Sequence, residues 1–278
     1  MKVRQALTQA RQLLETERVE DSVLEAELLL RTVLGVTRAR LFLDFERELA
    51  PELETAYQRL VRRRLAGEPS AYITGRREFY GRDFLVTPDV LIPRPETEML
   101  VEMALALCQE GNTRRIVDVG TGSGAIAVTL AAELPEDVVI YATDVSEAAL
   151  AVAAGNAARH GVVERVRLLP GDMLRPLPEP VDLLLANLPY VKSAGVAGIL
   201  KAEPALALDG GADGLEKFYR LCRELGAGLR PAGAALLEVG LGQARPVSRY
   251  LNELYPAAAT RIHWDPAGIE RVVELRRG

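Results

Sequence analysis

The sequence predicts an α/β protein: a doubly wound, mostly parallel seven-stranded sheet with an antiparallel last strand, preceded by a small all-helical domain that a β-hairpin joins to it. Three observations carry this expectation. From Pro95 onward, short continuous apolar runs alternate with helical stretches, most of them alanine-rich, the order that builds a parallel sheet covered on both faces. Before about Gly67 the apolar residues recur only at helical spacing. At the end of the chain, two strand-like runs are separated only by residues 265–270, too few for a crossover helix, so the last strand must run antiparallel.

Taken in order, Val23, Leu24, Ala26, Leu28, Leu29 and Leu30, then Tyr57, Leu60, Val61 and Leu65, mark the inner faces of several helices. Gly35, Pro51 and Gly67-Glu68-Pro69 punctuate them, which gives a helical domain over residues 1–75. A linker over 76–94 follows. Within it, residues 77–86 alternate around Gly81-Arg82 as a hairpin, and Pro88 and Pro93 stiffen the exit. The second domain, 95–278, opens with an amphipathic helix over 97–109. Strands are expected over 115–119, 138–142, 166–169, 181–186, 234–239, 259–264 and 271–275.

With 49% hydrophobic residues in 278, the chain has ample material for a core. A net charge of −5 argues against a large electrostatic footprint on nucleic acid. Residues 1–17 alternate charged and apolar side chains, and no later run reaches the apolar length of a membrane span, so neither export nor a bilayer is expected. Two isolated cysteines, Cys108 and Cys222, form neither a disulfide framework nor a ligand set. A reducing cytoplasm and no metal are the expectation.

The run from Arg115 to Ile126 reads strand, glycine turn, helix, and presents Gly120, Thr121, Gly122, Ser123 and Gly124 above the sheet edge. Backbone N–H groups at such a helix start face a ligand, and the glycines let it touch the main chain. Asp144 closes the next strand about twenty residues on, where a carboxylate accepts both hydroxyls of a ribose. The spacing Gly120-x-Gly122-x-x-Ala125 also fits a dinucleotide fingerprint, which keeps a nicotinamide reading open. Asp118 distinguishes the two: a carboxylate there repels a pyrophosphate but suits the ammonium and sulfonium of S-adenosylmethionine. The fold then takes its Rossmann-like methyltransferase form. Asp172, after the third strand, is expected at the adenine edge, with Met173 packing on the adenine face.

The fourth strand ends in Asn187-Leu188-Pro189-Tyr190. In an open parallel sheet, ligands collect at the carboxyl ends of the strands, so Asn187 arrives beside the glycine turn. Its side-chain carbonyl and the backbone carbonyl of Leu188 are two acceptors for the N–H groups of a planar amine or amide, and Tyr190 is a stacking surface. Such acceptors position a poor nucleophile and stabilise positive charge as it develops on nitrogen.

Asp118-Val119-Gly120-Thr121-Gly122-Ser123-Gly124, Asn187-Leu188-Pro189-Tyr190, Leu91-Ile92-Pro93-Arg94-Pro95-Glu96-Thr97-Glu98 and the segment from Glu203 to Gly214 together resemble the HemK-type, or PrmC, glutamine methyltransferases of peptide chain release factors. The resemblance runs through almost the whole chain. It implies S-adenosylmethionine as cofactor and the glutamine of the Gly-Gly-Gln motif in class 1 release factors, factors 1 and 2, as substrate. It also implies a helical domain that helps grip the release factor. Asn187, Leu188, Pro189 and Tyr190 are then the catalytic tip. Asp118, Gly120, Thr121, Gly122, Ser123, Gly124, Asp144, Asp172, Met173 and Asn187 hold the cofactor. The family pattern is Asn-Pro-Pro-Tyr; Leu188 keeps the needed backbone carbonyl but frees φ, so activity is expected in a less fixed loop.

Other residues read as structural. Arg62-Arg63-Arg64 is a solvated helix face and a candidate protein contact, His160 a helix end, and Asp265 with Arg271 an ion pair across the final turn. Arg94, Glu96 and Thr97 open a helix, where the resemblance adds a role in shaping the cofactor pocket. Glu203, Asp209 and Asp213 lie in a glycine-rich loop over the site. The rival readings are an adenine-N6 DNA or RNA methyltransferase, whose acceptor is also a conjugated NH2, an NAD(P)-dependent oxidoreductase, and a non-catalytic adaptor that retains the cofactor fold.

Overall fold

The computed structural model describes residues 1–111, 113–199 and 202–278. These fall into two compact units, Met1–Arg76 and Arg77–Gly278.

The first unit is helical: α1 (Val3–Thr16), α2 (Ser22–Leu34), α3 (Arg38–Leu43), α4 (Pro51–Leu65) and α5 (Ser70–Thr74). Gly35, in the left-handed region at φ +65°, ends α2, and Pro51 occupies the first position of α4, where its missing N–H costs nothing. Leu14, Leu29, Leu30, Leu41 and Tyr57 form its core, and the Tyr57 hydroxyl donates to the Ala26 carbonyl at 3.0 Å. The arginine run is not one solvated face. Arg63 pairs with Glu68 at 2.5 Å and Arg64 with Glu25 at 2.9 Å, leaving Arg62 as the exposed member, because successive helical residues point 100° apart.

At the junction, β1 (Arg76–Phe79) and β2 (Arg82–Leu85) form a hairpin. Its turn is Tyr80-Gly81, both at positive φ (+52° and +69°), one residue earlier than the Gly81-Arg82 centre read from the alternation. The second unit continues with α6 (Glu98–Glu110), β3 (Arg115–Val119), α7 (Ala125–Glu133), β4 (Val139–Asp144), α8 (Glu147–Arg159), β5 (Val166–Pro170), β6 (Val181–Asn187), α9 (Ser193–Ile199), α10 (Glu216–Gly228), β7 (Leu229–Glu238), α11 (Ala244–Leu254), β8 (Ala259–Trp264) and β9 (Glu270–Arg276). Among the described residues these strands make one seven-stranded sheet in the order β5-β4-β3-β6-β7-β9-β8.

Strands β5 through β7 run parallel, and β9 is antiparallel to both β7 and β8. The doubly wound sheet with an antiparallel last strand is therefore as expected. The chain enters at β3 in the middle, winds outward to β5, then returns to β6 on the other side of β3. This reversal opens a crevice at the carboxyl ends of β3 and β6, the place where such sheets bind ligands. One apolar layer, including Leu100, Ile116, Leu130 and Leu185, packs on one face of the sheet, and another, including Val117, Leu184, Phe218 and Leu237, on the other. Burial on both faces is why the strands read as continuous apolar runs.

Candidate active site

A cavity lies over the carboxyl ends of β3, β4, β5 and β6, lined among others by Gly120, Gly122, Asp144, Asp172, Thr97 and Asn187. The glycine turn that forms its floor is held by the neighbouring strand: Gly120 N and Thr121 N donate to the Thr143 carbonyl at 2.8 and 3.0 Å. Asp144 accepts from Gly122 N at Oδ2 and from Ser146 N at Oδ1, both at 2.9 Å. Asp144 lines the cavity and each of its oxygens has capacity for a further donor, the accepting chemistry that a ribose diol requires. Below the turn, Asn156 on α8 is fully buried and exchanges hydrogen bonds with the Leu85 main chain at 2.7 and 3.0 Å while donating to Ser123 O at 2.8 Å. It thus ties hairpin and glycine turn together.

Asp118 lies beneath the turn. It is 1% exposed, accepts from Thr121 Oγ1 at 2.6 Å, and is not among the residues lining the cavity. Burial pushes its carboxyl up to about 7 against the Thr121 hydrogen bond, and its Oδ1 has no partner. That orphaned acceptor suits a cationic ligand group better than a pyrophosphate. Thr121 and Ser123 line the cavity; Gly124, at φ +79°, packs inward against Ala153 and does not. Met173 lines it from a buried, positive-φ position at the end of β5, and Asp172 beside it is paired with Arg220 of α10, which also lines the cavity.

At the tip of β6, Asn187 Nδ2 donates to Thr97 Oγ1 at 3.0 Å. Thr97 is 5% exposed, and the buried Glu238 at the end of β7 stands opposite Asn187 in the β6–β7 register. Leu188 and Pro189 line the cavity. The Leu188 side chain turns down into the core, and one of its methyl carbons sits 3.4 Å from where a Cβ on Gly120 would be. Burial thus anchors the Leu188 side chain beneath the glycine turn. Tyr190 is half-buried outside the lining, its carbonyl held by Gln243 Nε2 at 3.0 Å.

The glycine-rich segment after α9 clamps this tip rather than merely covering it. Val191 N donates to Leu208 O at 2.9 Å, and Gly210 N donates to Val191 O at 2.8 Å. A Cβ on Gly210 would lie 2.7 Å from Pro189 O and one on Gly214 2.5 Å from Tyr190 O, so only glycine allows the two main chains to approach. Buried Glu203 accepts from Arg94 Nη2 at 2.5 Å and from Ile92 N at 3.3 Å, fixing the other end of the segment. Asp265 and Arg271 pair at 3.2 Å, as read from the sequence, whereas His263 meets the buried Glu274 across two strands at 2.7 Å, a partner that residue spacing does not reveal. Among the described residues no cluster of His, Cys, Asp or Glu is arranged to hold a metal, and no helix is long and apolar enough to cross a membrane.

Two family models match the chain: "PrmC N-terminal domain" over residues 5–75 and "Methyltransferase small domain" over 96–207. A release factor glutamine methyltransferase of Moorella thermoacetica is 45% identical over 264 residues, covering 91% of this chain and 93% of the relative. One from Geobacter sulfurreducens is 40% identical and covers 99% and 97%. Among solved structures, a methyltransferase from Pyrococcus furiosus aligns at 17% identity with a TM-score of 0.53 over 72% of this chain and 91% of that one, a likeness of fold.

Proposed function

Because the chain belongs to the release factor glutamine methyltransferase family, we propose that it methylates the side-chain amide nitrogen of the glutamine in the Gly-Gly-Gln motif of class 1 peptide chain release factors, factors 1 and 2, using S-adenosylmethionine. The observation that carries this reading is the Asn187 amide, held by Thr97 at the edge of a cavity that also contains the glycine turn and Asp144. Bound in that cavity, S-adenosylmethionine supplies an electrophilic methyl group.

The protein's part is to present the nucleophile. With its Nδ2 engaged by Thr97, Asn187 leaves Oδ1 to accept one N–H of the substrate amide, and the Leu188 carbonyl accepts the other. An amide nitrogen shares its lone pair with its own carbonyl; two fixed acceptors orient it and grow stronger as it becomes positive. The nitrogen then loses a proton, which passes to solvent without a strong base at the site. Asp144 fits the ribose hydroxyls, and Asp118 supplies negative potential beneath the turn. A helical unit that engages the release factor, and action in the cytoplasm where translation ends, complete the proposal.

The test is transfer of a labelled methyl group to purified release factor, beside a Gln→Ala variant of its Gly-Gly-Gln and adenine-containing DNA. Label that depends on the glutamine supports the reading; label on DNA alone replaces it with adenine methylation. Asn187→Ala should keep cofactor affinity within a few-fold and lower kcat by about a hundredfold or more. Near-normal kcat in that variant would remove Asn187 from the reaction.

A further inference from the structure

Resting on that reading, we propose that Arg220 is a positioning residue for cofactor selection: it fixes the Asp172 carboxylate so that one oxygen accepts the amino group of adenine and disfavours a base carrying an acceptor there. Arg220 lies on α10 and lines the cavity together with Asp172 and Met173. Its Nη2 donates to Asp172 Oδ2, and Arg175 Nη1 approaches the same oxygen at 3.9 Å. Oδ1 is therefore the acceptor left for a ligand N–H.

The carboxylate sits on a turn that α10 grips at successive helical turns. Arg220 reaches Asp172, Glu224 Oε2 accepts from Leu174 N at 3.1 Å, and Leu174 Cδ1 fills the place where a Cβ on Gly228 would stand. Residues four apart share one face of a helix, so a single face of α10 presses along the turn. Between the two hydrogen-bonded positions, Met173 is held at φ +53°, a conformation that non-glycine residues keep only where their surroundings enforce it. The helix itself is fixed, since Phe218, Leu221, Cys222 and Leu225 are buried in the apolar layer on the sheet. Asp172 is thus aimed from a rigid element.

Fold stability does not account for the pair. The side chains of Arg220 and Asp172 are 38% and 30% exposed, and ion pairs so open to water contribute little to folding. Nor does Arg220 attract the cofactor by charge, because S-adenosylmethionine carries a sulfonium and an ammonium against one carboxylate. What a fixed guanidinium supplies is direction. A carboxylate pinned at Oδ2 meets the 6-amino group of adenine as a donor, but the 6-oxo group of hypoxanthine as a second acceptor. One free to swing would reach the N1–H of hypoxanthine instead, and the discrimination would fade.

The experiment measures, by calorimetry on the full chain, the affinities for S-adenosylhomocysteine and for S-inosylhomocysteine, in which hypoxanthine replaces adenine. Wild type should prefer the adenine form by about a hundredfold or more. Arg220→Met, which keeps the apolar stem, should lower that ratio about tenfold, and Asp172→Asn, whose amide donates as well as accepts, at least as far. Arg175→Met should leave it unchanged, because Arg175 stands farther from the carboxylate and outside the cavity lining. A ratio near one in wild type, an equal fall in Arg175→Met, or a kept ratio in Arg220→Met, even with both affinities weakened alike, overturns the proposal. Should Arg220→Met fail to fold, Arg220→Gln decides by the same ratio. The functional reading fails separately: a chain that binds neither ligand loses the cofactor and this proposal together. A chain that selects adenine through Arg220 but leaves release factor unmethylated sinks only the reading of the acceptor.

Discussion

Asn187 and Leu188 are adjacent and point opposite ways, the amide toward Thr97 and the leucine into the core under Gly120. Leu188 is 3% exposed, so truncation opens a void beneath the glycine turn. Leu188→Ala should lower stability by about 2–4 kcal/mol in thermal or denaturant unfolding. Leu188→Pro loses the same burial but stiffens φ, so its kcat should stay within about tenfold of wild type; a hundredfold gain would show that the backbone, not the side chain, limits the loop. At this scale the sequence announces Asn187 and Asp144, because each closes an apolar run that can only be a buried strand. It marks Thr97 as a helix opening and says nothing of Glu238 or Asn156. Their partners lie 90 residues away for Asn187 and Thr97 and 71 for Leu85 and Asn156, and only the packing of helix, turn and hairpin against the sheet brings them together.

At the scale of elements, the tip of β6 is shaped by the segment between α9 and α10 pressed against it. Gly210 makes the contact possible, with Pro189 O and Tyr190 Cα where its Cβ would be, at 2.7 and 2.8 Å. Gly210→Ala must therefore push the Asn187-to-Tyr190 loop away from its clamp. It should lower kcat more than tenfold while S-adenosylmethionine affinity changes far less, since the glycine turn and Asp144 are held by β4 instead. An equal loss of cofactor affinity would mean that the clamp supports the whole cavity. The elements themselves are mostly legible, because apolar runs and helical spacing reflect burial directly. The misses are local backbone events. β7 begins at Leu229 rather than near residue 234, passing through Ala232 at φ +61° beside a register shift between Val181 and Leu183, and alternation carries no trace of such an irregularity.

For the whole molecule, two buried acids set an unusual dependence on pH. Asp118 and Glu238 are both raised to about 7, whereas in the unfolded chain they titrate near 4. Between those values the folded protein holds protons that the unfolded chain has released, so stability falls as pH rises, by about 1.4 kcal/mol per pH unit for each group. Carboxyls held below their usual range, such as Asp265 with its backbone hydrogen bonds and Arg271, act the other way, but their contribution is lost only near pH 4 and below. The ligand-free protein should therefore melt higher at pH 5.5 than at pH 8, and Asp118→Asn with Glu238→Gln should flatten the difference. A melting temperature that rises from pH 5.5 to 8 would show that these acids are not buried as protonated groups. Both acids belong to the unit Arg77–Gly278. A fragment of those residues should keep the same pH dependence and bind S-adenosylmethionine, yet lose most methyl transfer to release factor if the helical unit grips the substrate. Because the glycine turn, Asp144, Asn187, Thr97 and Glu238 all remain in the fragment, the loss should appear in KM for the release factor, with kcat at saturation largely retained. A fragment with unchanged KM would remove the helical unit from substrate recognition while leaving the chemistry at Asn187 untouched.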